Sequence, residues 1–227
     1  SQLPCQSIVT SIKNGCELEH AIEHAHFDVL QAPDKGIGMP GMGTTIVALQ
    51  ITDDIFKIAW VGDSRAYLWE KGQLIQLSQD HSFVQELLNR GDITPEQAFN
   101  HPRKNLINQA LGIPELDRVK VDSVSGKCKE NQVFLLSSDG LTDELPEIEL
   151  LTIMNASDAS PQLTAQRLLG QTLSKRAKDN VTAVIIQCDR VSEKMQKHKP
   201  HNYIAIFSLL AVIVALLSLY ITRLITG

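Results

Sequence analysis

The 227-residue sequence lacks several features that mark common functional classes. Its four cysteines include no Cys-x-x-Cys pair, which excludes a zinc ribbon and a disulfide framework and favours a reducing compartment. Aromatic residues make up only 5% of the chain, the net charge is −5, and no basic helix is interleaved with aromatic side chains. Together these absences argue against nucleic acid as a partner.

The composition fits one soluble domain followed by a membrane anchor. With 43% hydrophobic and 21% charged residues, the chain can build a single core, and about 190 residues is an ordinary domain size. Residues 202–222 carry no charge, and a helix of that length spans roughly 30 Å of hydrocarbon. We therefore predict a domain at 1–189, a polar basic tether at 190–201, a transmembrane helix at 202–223 and a short tail at 224–227.

The residues that flank the apolar run predict its orientation. Arg190, Lys194, Lys197 and Lys199 precede the run, whereas only Arg223 follows it. The positive-inside bias then predicts a single-pass protein of the inner (plasma) membrane with its domain in the cytoplasm. A buried core helix is the alternative interpretation of the same run.

Three aspartates lie at the ends of apolar, strand-like runs. Asp63 follows the run 56–61 and Asp139 follows 132–136, whereas Asp179 precedes 181–187. If these runs form antiparallel neighbouring strands, all three carboxylates meet at one edge of a sheet. Like charges at such an edge favour a cation, and carboxylates without Cys or His favour Mg²⁺ or Mn²⁺. Turn or cap aspartates are the plainer alternative.

The remaining pattern predicts two antiparallel sheets covered by helices. Long series of strands with helices gathered into a few blocks are typical of an α+β fold and not of alternating βαβ units. The predicted helices are 16–30, 83–89, 95–99, 147–154 and 161–177. The predicted strands are 44–50, 55–61, 66–69, 74–77, 119–124, 133–136 and 181–187.

Six short motifs follow one another in a particular order. They are Gly41-Met42-Gly43-Thr44-Thr45, Val61-Gly62-Asp63-Ser64-Arg65-Ala66-Tyr67-Leu68, Leu77-Ser78-Gln79-Asp80-His81-Ser82, Asn105-Leu106-Ile107-Asn108-Gln109-Ala110-Leu111-Gly112, Ser138-Asp139-Gly140-Leu141-Thr142 and Asp179-Asn180-Val181-Thr182. This series resembles that of the metal-dependent PP2C-type serine/threonine protein phosphatases of bacteria, from about residue 5 to about residue 188. Several motifs in one order are far more specific than any single motif.

The resemblance implies an α-β-β-α sandwich and two, or three, Mn²⁺ or Mg²⁺ ions. It implies that Asp139 ligates the catalytic metal pair, that Asp179 completes it, and that Asp63 with Asp139 holds a third, weaker ion. Asp63 as a strand-end turn residue is the alternative. The nucleophile is then a metal-bound water, so no side chain is expected as a covalent catalyst.

The same resemblance implies a substrate-binding flap over about residues 79–111. Substrates would be proteins phosphorylated on Ser or Thr by a cognate bacterial kinase. The basic side chains proposed to contact substrate are Arg65, His81 and Arg103, with Arg90, His101 and Lys104 as further candidates. Ion pairing with a nearby carboxylate is the alternative for Arg65.

Two motifs of the family are missing from this chain. They are an Arg-x-x-Asn-Glu-Asp stretch and an Asp-Gly-x-Gly-Gly turn, which supply bridging metal contacts before the family's first long helix. We therefore expect that the N-terminal portion of the domain has been lost from the sequence. The alternatives are a complete, degenerate paralogue and a membrane-tethered pseudophosphatase that binds phosphoproteins or a regulatory partner without hydrolysis.

A zinc-protease pattern offers a competing enzymatic interpretation. His20-Ala21-Ile22-Glu23-His24 fits H-x-x-E-H, in which two histidines one helical turn apart bind Zn²⁺ and the glutamate activates water. This short pattern arises often by chance, and it leaves the three aspartate motifs unexplained.

Overall fold

The computed structural model describes residues 2–156, 160–175, 177 and 179–188, and the backbone of 209–215. The helices are α1 (Gln2–Lys13), α2 (Leu18–Gln31), α3 (Phe83–Arg90), α4 (Pro95–Phe99), α5 (Asp139–Thr142), α6 (Glu147–Met154) and α7 (Pro161–Ser174). The strands are β1 (Thr45–Thr52), β2 (Ile55–Val61), β3 (Arg65–Glu70), β4 (Gln73–Gln76), β5 (Asp122–Lys127), β6 (Val133–Ser137), β7 (Ala183–Gln187) and β8 (Leu209–Ala215).

The strands form two four-stranded antiparallel sheets, ordered β5-β2-β1-β8 and β4-β3-β6-β7. The paired helices α1 and α2 pack against the first sheet, and α6 and α7 pack against the second. The predicted α-β-β-α architecture is confirmed.

Strand alternation explains why the molecule has three hydrophobic layers. In β1, Ile46 and Ala48 face the α1–α2 layer, whereas Val47 and Leu49 face the space between the sheets. The second sheet alternates in the same way, because Phe134 of β6 faces the other sheet and its neighbour Leu135 faces α6 and α7. Successive side chains of a strand point to opposite faces, so β1 and β6 are buried on both sides.

The strand register brings distant parts of the sequence to one end of the sandwich. Arg65, the first residue of β3, pairs with Ser137, the last residue of β6, and Ser137 in turn pairs with Ala183, the first residue of β7. The chain segments that enter β3, leave β6 and enter β7 therefore lie side by side at this end. They carry Asp63, Asp139 and Asp179.

One predicted strand requires correction, and helix α1 was missed. The strand predicted at 119–124 is displaced, since β5 spans Asp122–Lys127. It is an edge strand whose alternating exposed residues include Ser123 and Ser125, so half of it carries no hydrophobic signal. Helix α1 at Gln2–Lys13 was not predicted, because only Pro4 and Ile8 of its residues are buried.

The predicted transmembrane helix falls mostly outside the described residues, as do the tether and the tail. Within the run, Leu209–Ala215 form the strand β8, which pairs antiparallel with β1 from Thr45↔Ala215 to Ile51↔Leu209. An apolar run alone does not separate a buried strand from a helix, and the Val and Ile of this segment suit a strand. Among the helices of the described ranges, none combines the length and apolarity that a bilayer crossing requires.

Candidate active site

Asp63 is placed by a sharp turn between the two sheets. The preceding Gly62 has a φ of +106°, and a Cβ at this position would lie 2.4 Å from Cγ2 of Thr45. Only glycine fits both the backbone conformation and the space. The turn is fixed further by a 2.9 Å hydrogen bond between the hydroxyls of Thr45 and Ser64. The Asp63 side chain is consequently buried, with 7% of the residue exposed.

Asp139 lies where β6 passes into the short helix α5. Its Oδ1 accepts a hydrogen bond of 2.9 Å from the backbone N–H of Gly140, and the residue is 9% exposed. Because a helix N-terminus carries partial positive charge, this position favours a carboxylate.

Asp179 is exposed, and its loop is joined to the Asp139 segment by Ser138. The Ser138 hydroxyl accepts a 3.0 Å hydrogen bond from the N–H of Thr182 and donates one of 3.3 Å to the carbonyl of Asn180. The Ser138 N–H also donates to the Thr182 carbonyl at 3.1 Å. The structure thus brings together the segments of Asp139 and Asp179, as the sequence predicts.

The carboxylates at this end repel one another. The pKa of Asp139 is raised to about 6, mainly by burial and in addition by the charges of Asp143 and Asp179. Burial likewise raises the pKa of Asp63 well above its usual value, and Asp139 and Asp80 add to this effect.

One buried carboxylate oxygen at this end of the sandwich lacks a hydrogen-bond partner. Asp63 Oδ1 is buried and has no hydrogen-bond partner among the described residues. A buried carboxylate oxygen without a donor is costly unless a cation or a proton satisfies it. The donors fit Mg²⁺ or Mn²⁺, which prefer oxygen ligands. In the same ranges no group of three or more His, Cys, Asp or Glu side chains is arranged to hold a metal ion, so the three aspartates do not form such a group by themselves.

Arg65 forms one wall of the site through an ion pair. Its Nη2 lies 2.7 Å from Asp80 Oδ2 and its Nε lies 3.0 Å from both Asp80 oxygens, while Nη1 donates to the Tyr67 hydroxyl at 3.3 Å. The pairing alternative is therefore the observed one, although Arg65 also lines the cavity beside the aspartates.

A groove of about 590 Å³ opens from the aspartates. Helices α3 and α4 form one side of this groove, and the segment from α5 to the start of α6 forms the other. Its apolar lining is Val84, Leu88, Pro95, Ala98, Phe99, Leu145 and Pro146, and its charged lining is Asp63, Arg65, Asp80, Glu96, Lys104, Asp139, Asp143 and Glu147.

The flap contacts the opposite side of the groove through Lys104. Its Nζ lies 3.1 Å from Asp143 Oδ1 and 5.1 Å from the centre of the Phe99 ring. Arg103, by contrast, is exposed, and its guanidinium lies 4.1 Å above the ring of Phe83, outside the groove lining. Lys104 is thus the better placed of these two flap residues to meet a substrate.

The substrate contact predicted for His81 is corrected, because this side chain is buried behind the site. Its Nδ1 accepts a hydrogen bond from the Gly62 N–H at 3.2 Å, and its Nε2 lies 3.1 Å from Asp122 Oδ2. The His81 N–H also donates to the Gly62 carbonyl at 2.9 Å. His81 therefore fixes the turn that carries Asp63 and does not face the groove.

Sequence reasoning missed two acidic residues of the site, Asp80 and Asp143. Asp80 is the partner of Arg65, and the only available signal was its place in the Leu-Ser-Gln-Asp-His motif. Asp143 comes four residues after Asp139, a spacing that places both on one helix face.

The zinc-protease alternative gains no support from the structure. His20 and His24 are exposed on α2, and neither belongs to a metal-binding group among the described residues.

Comparisons with known proteins agree on one family. The model of the family described as "Protein phosphatase 2C" matches residues 15–87. The chain is 36% identical over 172 residues to "Serine/threonine phosphatase stp" of Listeria monocytogenes serotype 4b (strain F2365), which covers 76% of this chain and 67% of that protein.

Solved structures extend the likeness to the fold. The Staphylococcus aureus serine/threonine phosphatase Stp1 superposes with a TM-score of 0.70 at 32% identity, over 80% of this chain and 69% of that one. The catalytic domain of the serine/threonine protein phosphatase PstP in complex with two manganese ions gives a TM-score of 0.69 at 26% identity, over 84% of this chain and 82% of that one.

Proposed function

The chain belongs to the protein phosphatase 2C family, and from that premise we propose that it is a metal-dependent phosphatase of phosphoserine and phosphothreonine in proteins. The observation that carries the proposal is the buried, unpartnered oxygen of Asp63 beside Asp139 at the mouth of a groove. The relatives named above are serine/threonine phosphatases, which supports this activity over a non-catalytic binding role.

We propose that Asp139, Asp179 and Asp63 hold Mn²⁺ or Mg²⁺ ions, of which the family resemblance implies two or three. This proposal is supported by the convergence of the three segments and by the raised pKa values of Asp139 and Asp63. When bound, such ions provide Lewis-acid activation of water and offset the negative charge of the phosphoryl group.

The remaining side chains at the site position the aspartates and enclose the groove. None of them acts as a covalent nucleophile. The Ser64 hydroxyl is engaged with Thr45, and the Thr142 hydroxyl donates to the carbonyl of Asp139 at 3.4 Å. In the part of the chain that the structure describes, neither hydroxyl forms a hydrogen bond with a base that would activate it for attack. Arg65 stays fixed by Asp80, while Lys104 presents an ammonium group that a phosphoryl oxygen can approach.

The test is release of inorganic phosphate from a phosphothreonine peptide with and without Mn²⁺. We expect Mn²⁺-dependent turnover that falls by at least about 10²-fold in Asp139→Ala, because a metal ligand contributes several kcal/mol to transition-state stabilisation. Asp34→Ala, at an exposed position in the short 3-10 helix Pro33–Lys35 after α2, is the matched control and should keep its turnover. Equal turnover in wild type and Asp139→Ala would refute the proposal.

Membrane attachment through residues 202–223 is a separate proposal, as is the cytoplasmic location of the domain. It is supported by the uncharged run and by the basic residues that precede it. Strand β8 gives part of the same run a competing location beside β1. Deletion of residues 202–227 distinguishes a membrane anchor from an edge strand. An anchor predicts release from the membrane fraction with an unchanged melting temperature, and an edge strand predicts a lower melting temperature.

A further inference from the structure

The groove beside the aspartates has an uneven distribution of charge. Two of its acidic residues are balanced by neighbours, since Asp80 pairs with Arg65 and Asp143 pairs with Lys104. The metal-site carboxylates Asp63 and Asp139 are assigned above to cations. These pairings leave two further carboxylates of the groove, Glu96 and Glu147.

Glu96 and Glu147 are exposed, and they lie in different walls of the groove. Glu96 is in the first turn of α4, in the flap, and Glu147 begins α6 on the opposite side. Neither carboxylate forms an ion pair in the described part of the chain. The groove that they line also has an apolar surface that includes Leu88, Phe99 and Pro146.

We propose that this groove selects phosphopeptides with a Lys or Arg and an apolar side chain close to the phosphorylated residue. The proposal rests on the proposed function, because the phosphoryl group must occupy the aspartate end of the groove. The apolar wall then receives the apolar side chain, and the two exposed glutamates attract the basic one. Arg65 and Lys104 do not oppose that attraction, since each already has a carboxylate partner.

Charge complementarity of this kind predicts a moderate preference. One exposed ion pair contributes only a few-fold preference, so two pairs together correspond to about a tenfold ratio of kcat/KM. The preference should shrink as salt rises, because exposed charges are screened within about 10 Å at 0.1 M ionic strength.

The experiment uses the full chain with Mn²⁺ and three phosphothreonine peptides that differ only at the flanking positions, which carry Lys, Gln or Glu. For wild type we expect kcat/KM to favour the Lys peptide over the Glu peptide by about tenfold, and by less than about threefold in 0.5 M NaCl. In the double variant Glu96→Gln/Glu147→Gln the ratio should fall to about twofold or less. Glu115→Gln, an exposed loop residue outside the groove, is the matched control and should keep the wild-type ratio.

Hydrolysis of p-nitrophenyl phosphate distinguishes a wrong substrate inference from a wrong proposed function, since this substrate is too small to reach the glutamates. If wild type hydrolyses it with Mn²⁺ but shows equal kcat/KM for the three peptides, the substrate inference is wrong and the proposed function stands. Absence of Mn²⁺-dependent hydrolysis of every substrate would overturn the proposed function itself. A preference that survives both the double variant and high salt would show that other residues select the substrate.

Discussion

Gly140 and Asn180 are in such close contact that a Cβ on Gly140 would lie 2.4 Å from the carbonyl oxygen of Asn180. This approach holds the loop of Asp179 against the start of α5, where Asp139 lies. The relative position of Asp139 and Asp179 at the proposed metal site therefore depends on a residue, Gly140, that has no side chain.

Gly140→Ala should separate the two loops. The added methyl group meets backbone atoms that cannot rotate away, so we expect a loss of about 1–3 kcal/mol in the free energy of unfolding, measured with urea, and weaker Mn²⁺ binding. Gly170→Ala is the control, because nothing lies within 4 Å of that position in the exposed face of α7. It should gain about 0.5–1 kcal/mol from helix propensity. A Gly140→Ala protein as stable as wild type would contradict the predicted contact.

Asp63→Asn should stabilise the metal-free protein and remove part of its response to metal. Without a cation the buried Asp63 carboxylate is repelled by Asp139 and Asp80, and the amide removes that charge. We expect the melting temperature in EDTA to rise by about 2–4 °C, which corresponds to about 1 kcal/mol. In Mn²⁺ the order should reverse, with wild type the more stable. Equal metal-induced shifts in both proteins would show that Asp63 does not meet a cation.

The stability of the metal-free protein should depend on pH through Asp139. Its pKa of about 6 in the folded chain lies above the usual value of 3.8. The folded state thus binds the proton more tightly than the unfolded state, so this stabilisation is full below about pH 4 and is lost as pH rises through about 6. The difference in unfolding free energy between wild type and Asp139→Asn should fall between pH 4.5 and pH 7. A difference that does not change over this range would contradict the burial of Asp139 in its charged neighbourhood.

Lys104→Met should loosen the flap without removing its apolar contact. The ion pair of Lys104 with Asp143 joins the flap to α5, and each partner is about 30% exposed in its side chain, at 29% and 32%. We expect faster amide hydrogen exchange over residues 83–99 and an increase of about three- to tenfold in KM for a phosphopeptide. Arg90→Met is the matched control and should leave hydrogen exchange unchanged, since the Arg90–Asp92 pair is exposed and joins no two elements of the fold. Unchanged exchange in Lys104→Met would show that the pair does not hold the flap.

The sequence was sufficient for most of the strands and for the aspartate edge because their signals are local, whereas β5 was displaced and β8 was not predicted as a strand. The apolar runs before Asp63 and Asp139 and after Asp179 are doubly buried strands, and antiparallel pairing then brings their ends together. The role of His81 could not be predicted in the same way. Its bonds to Gly62 and Asp122 join residues 19 and 41 positions away, and no spacing rule encodes such partners.

The apolar run near the C-terminus shows a different limit. Its uniform composition predicts a helix by length, whereas the described segment 209–215 is a strand paired with β1. Periodicity carries no information when every position is apolar. Whether the run forms a helix or a strand depends on the edge of β1 with which it can pair. That edge is a tertiary feature that composition does not report.

Calorimetric titration of Mn²⁺ into the metal-free protein tests the central claim most directly, because it measures the cation site without any substrate. We expect saturable binding in wild type that weakens by at least about tenfold in Asp139→Ala and in Asp63→Asn, since each removes a ligating charge. The variant Asp34→Ala, at an exposed position, should bind as wild type does. Identical Mn²⁺ affinity in wild type and Asp139→Ala would contradict the account.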